Sequence, residues 1–167
     1  MRALKRKVLR LEALEQRTVL SATPLDEVAP INPSPEGQQC LFAQARAPTI
    51  AVADDGGFVS VWSQDDGDSG MYDVWVRRFG ADGQGIDDGQ VVHGTTNSVQ
   101  TFPAVAVADD GAFIVTWSSL NQDGSGYGVY ARRFDATGSP LGNEFRVNNH
   151  TTGNQNFSAV AIDDDGD

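Results

Sequence analysis

The chain has 167 residues, room for one domain with an extra segment at one end, and a net charge of −11. Its charge is uneven: Arg2, Lys5, Arg6, Lys7, Arg10 and Arg17 face only Glu12 and Glu15, whereas six arginines stand against 21 acids over the rest. So acidic a body disfavours nucleic acid and anionic membrane, which need clustered Lys and Arg, and the lone Cys40 excludes an intramolecular disulfide scaffold.

Residues 1–22 open the chain with Leu4, Val8, Leu11 and Leu14 at helical spacing, charges on the other side. That pattern predicts a short amphipathic helix, either a frayed tail or a targeting and sorting element. The alternation Val8-Leu9-Arg10-Leu11-Glu12 breaks any apolar run before the hydrophobic stretch of an ordinary signal peptide develops. No segment reaches the apolar length of a membrane span. Residues 23–47 hold Pro24, Pro30, Pro33 and Pro35, which remove backbone donors and predict an extended linker; Cys40 within it reads as an incidental thiol.

An internal repeat follows. Pro48, Phe58, Trp62 and Arg77-Arg78-Phe79 return as Pro103, Phe113, Trp117 and Arg132-Arg133-Phe134, each 55 residues later. Ala51-Val52-Ala53-Asp54-Asp55-Gly56 returns as Ala106-Val107-Ala108-Asp109-Asp110-Gly111, and a third copy opens with Ala161-Ile162-Asp163-Asp164-Asp165-Gly166. The units are therefore 48–102, 103–157 and the beginning of a third, 158–167. Each predicts four extended segments, in the first copy 49–53, 58–63, 72–79 and 90–93. The Asp-Gly between the first two is a hairpin signal, because Gly takes the positive φ of a tight turn. In the second segment Phe58, Ser60 and Trp62 oppose Val59 and Val61, so both faces are largely apolar and require cover on both sides. In the third, Trp75, Arg77 and Phe79 share a face, as do Tyr130, Arg132 and Phe134, which lets a guanidinium stack between aromatics. The expected fold is all-β: antiparallel four-stranded repeats, read as blades of an incomplete β-propeller, since two blades cannot close a ring. Small β-sandwiches are the alternative, although those usually need about 100 residues each.

Two stretches carry a resemblance. Residues 11–22, Leu-Glu-Ala-Leu-Glu-Gln-Arg-Thr-Val-Leu-Ser-Ala, resemble the LEPLE-x-R-x-LLSA N-terminal signature of very large planctomycete-type secreted and surface proteins, with Ala13 for the usual Pro and Val19 for a usual Leu. Residues 117–138 are similar to the W-Q-S-x-x-Q-D-G-S-G-x-G-V-Y-A-Q-R-F-D-A-x-G repeats of large bacterial adhesins, which often sit beside cadherin-like or RTX calcium-binding modules. The first implies sorting at the envelope and an extracellular or cell-surface location. The second implies a structural or adhesive role with adjacent repeats, other surface proteins or glycans as partners. Neither implies a reaction.

Candidate chemistry is sparse. Asn121, Asp123 and Ser125, with Asp66 and Asp68 at matching positions of the first copy, alternate oxygen donors in a loop and are candidate ligands of Ca²⁺, a hard ion seeking 6–8 oxygens. The twelfth loop position holds Arg77 or Arg132, which excludes an EF-hand; a solvated Asp/Gly turn is the simpler reading. Trp75 and Tyr130 are candidates for stacking on sugars. The repeated Asp-Asp pairs sit at hairpin turns and read as turn chemistry, since a catalytic carboxylate pair normally occurs once. His93 and His150 fall out of repeat register and outside any metal-spacing motif, and no nucleophile elbow or phosphate loop is present. The expectation is a non-catalytic module, with a glycan-binding propeller or a fragment of a propeller-type glycan hydrolase as alternatives.

Overall fold

The computed structural model describes residues 39–40, 49–65, 71–95 and 97–163. The helix expected in residues 1–22, most of the Pro-rich linker, and Asp66 and Asp68 lie outside the described residues. Within them the protein is all-β, with nine strands: β1 (Gln39–Cys40), β2 (Ile50–Val52), β3 (Phe58–Asp65), β4 (Tyr72–Phe79), β5 (Gln90–Val91), β6 (Gln100–Val107), β7 (Phe113–Leu120), β8 (Tyr127–Phe134) and β9 (Phe145–Arg146).

The strands form two antiparallel sheets. In the first, β1 and β2 share one edge of β3, and β4 and β5 follow on its other side, so the sheet is four strands wide. The second runs β6-β7-β8-β9. The long hairpins have matching registers: Phe58 faces Phe79 and Trp62 faces Trp75, while Phe113 faces Phe134 and Trp117 faces Tyr130. Each aromatic pair stacks across its hairpin, at 4.6 and 6.4 Å in the first sheet and 4.8 and 6.5 Å in the second. Pairs of this geometry add about 0.5–1.5 kcal/mol each beyond the area they bury.

The turns follow from their sequence. Gly56 and Gly111 both have φ +85°, and the preceding Asp55 and Asp110 accept the N–H of Gly57 and Ala112 at 2.8 Å. The Asp-Asp-Gly clusters are thus turn makers. The edge strands differ more than the sequence suggests. β6 begins at Gln100, before Pro103, and its ladder with β7 shifts between Thr101 and Ala104. Pro103 has no N–H to give the ladder, and Phe102 takes φ +51°, so two residues of β6 oppose Trp117 alone. In the first sheet the corresponding edge is split: β2 pairs with the first half of β3, and β1 with Ser63 and Gln64.

One hydrophobic core joins the sheets. Strand alternation places Val59, Val61, Val74 and Val76 on one face of the first sheet, and Phe113, Val115, Trp117, Tyr130 and Phe134 on one face of the second. Together with Val92 and Val105 these residues make a single buried cluster. A valine face therefore packs on an aromatic face. Both faces of β3 and β7 are buried along most of their length, as their two-sided apolar pattern requires.

Candidate functional site

Two regions gather polar side chains: the seam between the sheets, and the loop after β7. At the seam, arginine, glutamine and glutamate cross from one sheet to the other. Arg132 gives Nη1–H to the Val92 carbonyl at 2.9 Å and Nε–H to Gly142 O at 2.9 Å. From the other side, Arg78 donates to Ala136 O at 2.6 Å while pairing with Asp87, and the Gln90 amide donates to Gly138 O at 2.6 Å. Arg77 and Arg132 also lie over Phe79 and Phe134, with Cζ 5.0 and 5.8 Å from the ring centres, the stacking the shared face predicts.

Glu144 is the centre of the seam. Its Oε2 accepts Gly94 N–H at 2.6 Å, and its Oε1 accepts the Thr95 hydroxyl at 2.8 Å and the Gln122 amide at 2.6 Å. Burial pushes its pKa up, but these three donors and nearby His93 outweigh that, and the net shift is downward. Glu144 is thus a bound carboxylate that ties the 94–95 turn to the second sheet. His93 is 5% exposed, with Nε2 accepting the Val74 N–H at 3.2 Å and lying 3.3 Å from Asp73 Oδ1. Burial lowers its pKa, against the attraction of Asp73, so the imidazole is neutral at neutral pH and structural in its contacts. Sequence reasoning set His93 aside and did not single out Glu144. Nothing in a spacing pattern marks them, because their partners come from the other sheet.

The loop after β7 is a built turn. Asn121 has φ +59° and its Oδ1 accepts Gly126 N–H at 3.2 Å; Asp123 Oδ1 accepts Ser125 N–H at 3.2 Å; Ser125 Oγ accepts Gly153 N–H at 3.1 Å. The three expected ligands are therefore neighbours, but each already serves a backbone donor, and ligating a cation would exchange those bonds. Asp123 Oδ2 is buried and accepts no hydrogen bond from a described residue. No cluster of three His, Cys, Asp or Glu stands close enough to hold a metal among the described residues.

Of the two candidate sugar-stacking rings, Trp75 is half-buried against Trp62. Tyr130 is only 7% exposed, with its ring against Trp117 in the core; burial, and then Asp123, push its pKa up. A groove of about 290 Å³ lies beside the loop, lined by Thr95, Asn97, Ser98, Asn121 and Gln122 with Met71, Val99 and Leu120. Hydroxyls and amides share its wall with a larger apolar surface from Met71, Val99 and Leu120. No helix among the described residues is long and apolar enough to cross a membrane. The chain matches no family model, no curated protein and no solved structure.

Proposed function

We propose that this chain is a non-catalytic structural or adhesive β-repeat module of the extracellular space or cell surface, its two sheets being consecutive units of period 55 in a stacked, blade-like array. The observation that carries this reading is the seam: equivalent hairpins present different faces to each other, valine against aromatic, and cross-sheet bonds from Arg132, Arg78, Gln90 and Glu144 lock them. Repeated sequence is spent on the contact between neighbours, as in solenoids and propellers. The polar side chains with the most partners hold sheets together and leave no nucleophile–base pair in evidence among the described residues. The N-terminal signature and the adhesin-like repeats supply the location and the adhesive role. Calcium stiffening is a lesser part of the reading, supported by the buried Asp123 Oδ2, which accepts no hydrogen bond from a described residue, beside Asn121 and Ser125.

Neutral glycan recognition is the second reading, favoured by the groove at Thr95, Asn97, Ser98, Asn121 and Gln122. The test combines calorimetric titration with Ca²⁺, a glycan array, and a panel of chromogenic glycosides. The scaffold reading expects no turnover and weak, millimolar-range cation binding at most. Specific glycan capture lost in Asn121→Ala supports the second reading, and hydrolysis of any glycoside overturns the first.

A further inference from the structure

We infer that His93 is a pH-sensitive latch: on protonation its imidazole exchanges the Val74 amide for the Asp73 carboxylate and loosens the joint between the two sheets. The latch is a property of the fold and holds whatever the module binds. The repeat exposes it, because one backbone group is closed in two different ways. Val74 and Val129 are counterparts 55 residues apart, and each carbonyl accepts an amide from its neighbouring segment, Val92 N–H at 2.9 Å and Val147 N–H at 2.8 Å. The N–H of Val129 then donates to Asn148 Oδ1 at 2.7 Å, and the N–H of Val74 to His93 Nε2 at 3.2 Å. His93 and Asn148 are again 55 residues apart. An amide oxygen accepts at any pH the fold survives, whereas an imidazole nitrogen accepts only while it carries no proton.

A second difference accompanies the first. Asp73 Oδ1 lies 3.3 Å from His93 Nε2, whereas the counterpart of Asp73 is Gly128, with no side chain to offer. The carboxylate able to receive a protonated ring thus occurs in the copy that has the ring. Three elements turn charged groups toward the imidazole: Asp73 on β4, Glu144 ahead of β9 and Arg132 on β8. β7 supplies the Trp117 ring, 6.2 Å away. Burial above all, and then Arg132, disfavour the proton; Asp73, the Thr95 backbone and Glu144 favour it, and the net effect is a ring neutral at neutral pH.

The two protonation states demand different partners. Neutral, Nε2 accepts the Val74 N–H. Charged, it faces that N–H donor to donor, so the bond breaks and the new proton turns to Asp73 Oδ1. Val74 is 0% exposed, so its amide is then left in the core without its acceptor, a costly arrangement. The disturbance reaches the second sheet through the residues beside His93. The Val92 carbonyl holds Arg132, the Val92 side chain is fully buried in the shared core, and Gly94 and Thr95 hold Glu144. Moving the imidazole loosens that grip, while the matching closure at Asn148 stays shut.

Nuclear magnetic resonance of the full chain, titrated from about pH 7.5 to about pH 4, tests this by following the His93 imidazole and the backbone amides together. The Val74 and Gly94 amides are expected to shift, and to lose about tenfold or more of their exchange protection, at the midpoint of the imidazole. The Val129 amide is expected to hold. His93→Asn, which copies the second repeat, should abolish the response at Val74 and leave at Gly94 only the titration of Glu144; His93→Gln serves if that variant fails to fold. An equal response at Val129, a Val74 response that survives these variants, or an imidazole that stays uncharged until the chain unfolds overturns the latch. A response at Val74 with none at Gly94 beyond that of Glu144 overturns the loosening of the joint.

Discussion

The two sheets are built from nearly the same sequence pattern yet live in different surroundings, and the contrast shows what a repeat's residues are for. In the first sheet, Val59, Val61, Val74, Val76 and Val92 are closed off by its neighbour. In the second, the corresponding side holds half-buried Ile114, buried Thr116, Val129 and Ala131, and exposed Val147, with Ser158 bonded to Thr116 upon it. At Val92 and Val147 the same position is a core residue in one copy and a surface residue in the other. Local sequence is equivalent; at that edge strand the difference in burial comes from the neighbouring unit.

Paired substitutions sharpen or break that contrast. The largest expected effect is Val92→Asp, which places an unpartnered carboxylate in the core and should cost about 3 kcal/mol or more by urea denaturation, whereas Val147→Asp should stay within about 0.5 kcal/mol for the monomer. Equal effects would erase the distinction between the sheets. Next is Arg132→Met, which removes the bonds to Val92 O and Gly142 O and should cost about 2 kcal/mol, against little change for the exposed Arg133→Met. Smaller still, Gly111→Ala strains a φ of +85° and should cost about 1 kcal/mol; Gly56→Ala in the matching turn should do the same.

Acid should loosen the seam first. His93 binds its proton less readily in the fold than its ordinary value of 6.5, so the stability it contributes is present above that pH and fades as pH falls through its lowered pKa. Glu144, lowered from 4.5, likewise contributes above that value and loses its contribution as the carboxylate protonates at lower pH. A melting temperature that declines below about pH 6.5, and a shallower decline in Glu144→Gln at the acid end, is the expected profile. A flat curve from pH 7 to pH 4 would contradict the buried neutral imidazole.

Much of this was legible in the residues. The 72–79 segment is β4 as expected, and the 58–63 segment extends only to Asp65 as β3, because alternation and aromatic spacing are local signals. The Asp-Gly turns were equally plain. The short edge strands were not: β5 and β9 stop two residues early, β6 starts three residues before Pro103, and the pairing of β1 with β3 leaves no mark in the sequence. Edge pairing depends on what lies alongside, and the bulge that sets Phe102 and Pro103 opposite Trp117 shows only in the ladder. Which face of one hairpin meets which face of the next was hidden as well, since Val59 and Trp62 are equally ready to be buried. His93 and Glu144 became visible only once both sheets were in place.

Native-state hydrogen exchange is the most direct measurement of the central contact. With valine packed on aromatic across one shared core, the slowest amides of β3 and β7 should open with the same free energy and lose protection together in Val92→Asp. If β7 keeps its protection in that variant while β3 loses it, the sheets are independent units and the stacked account fails.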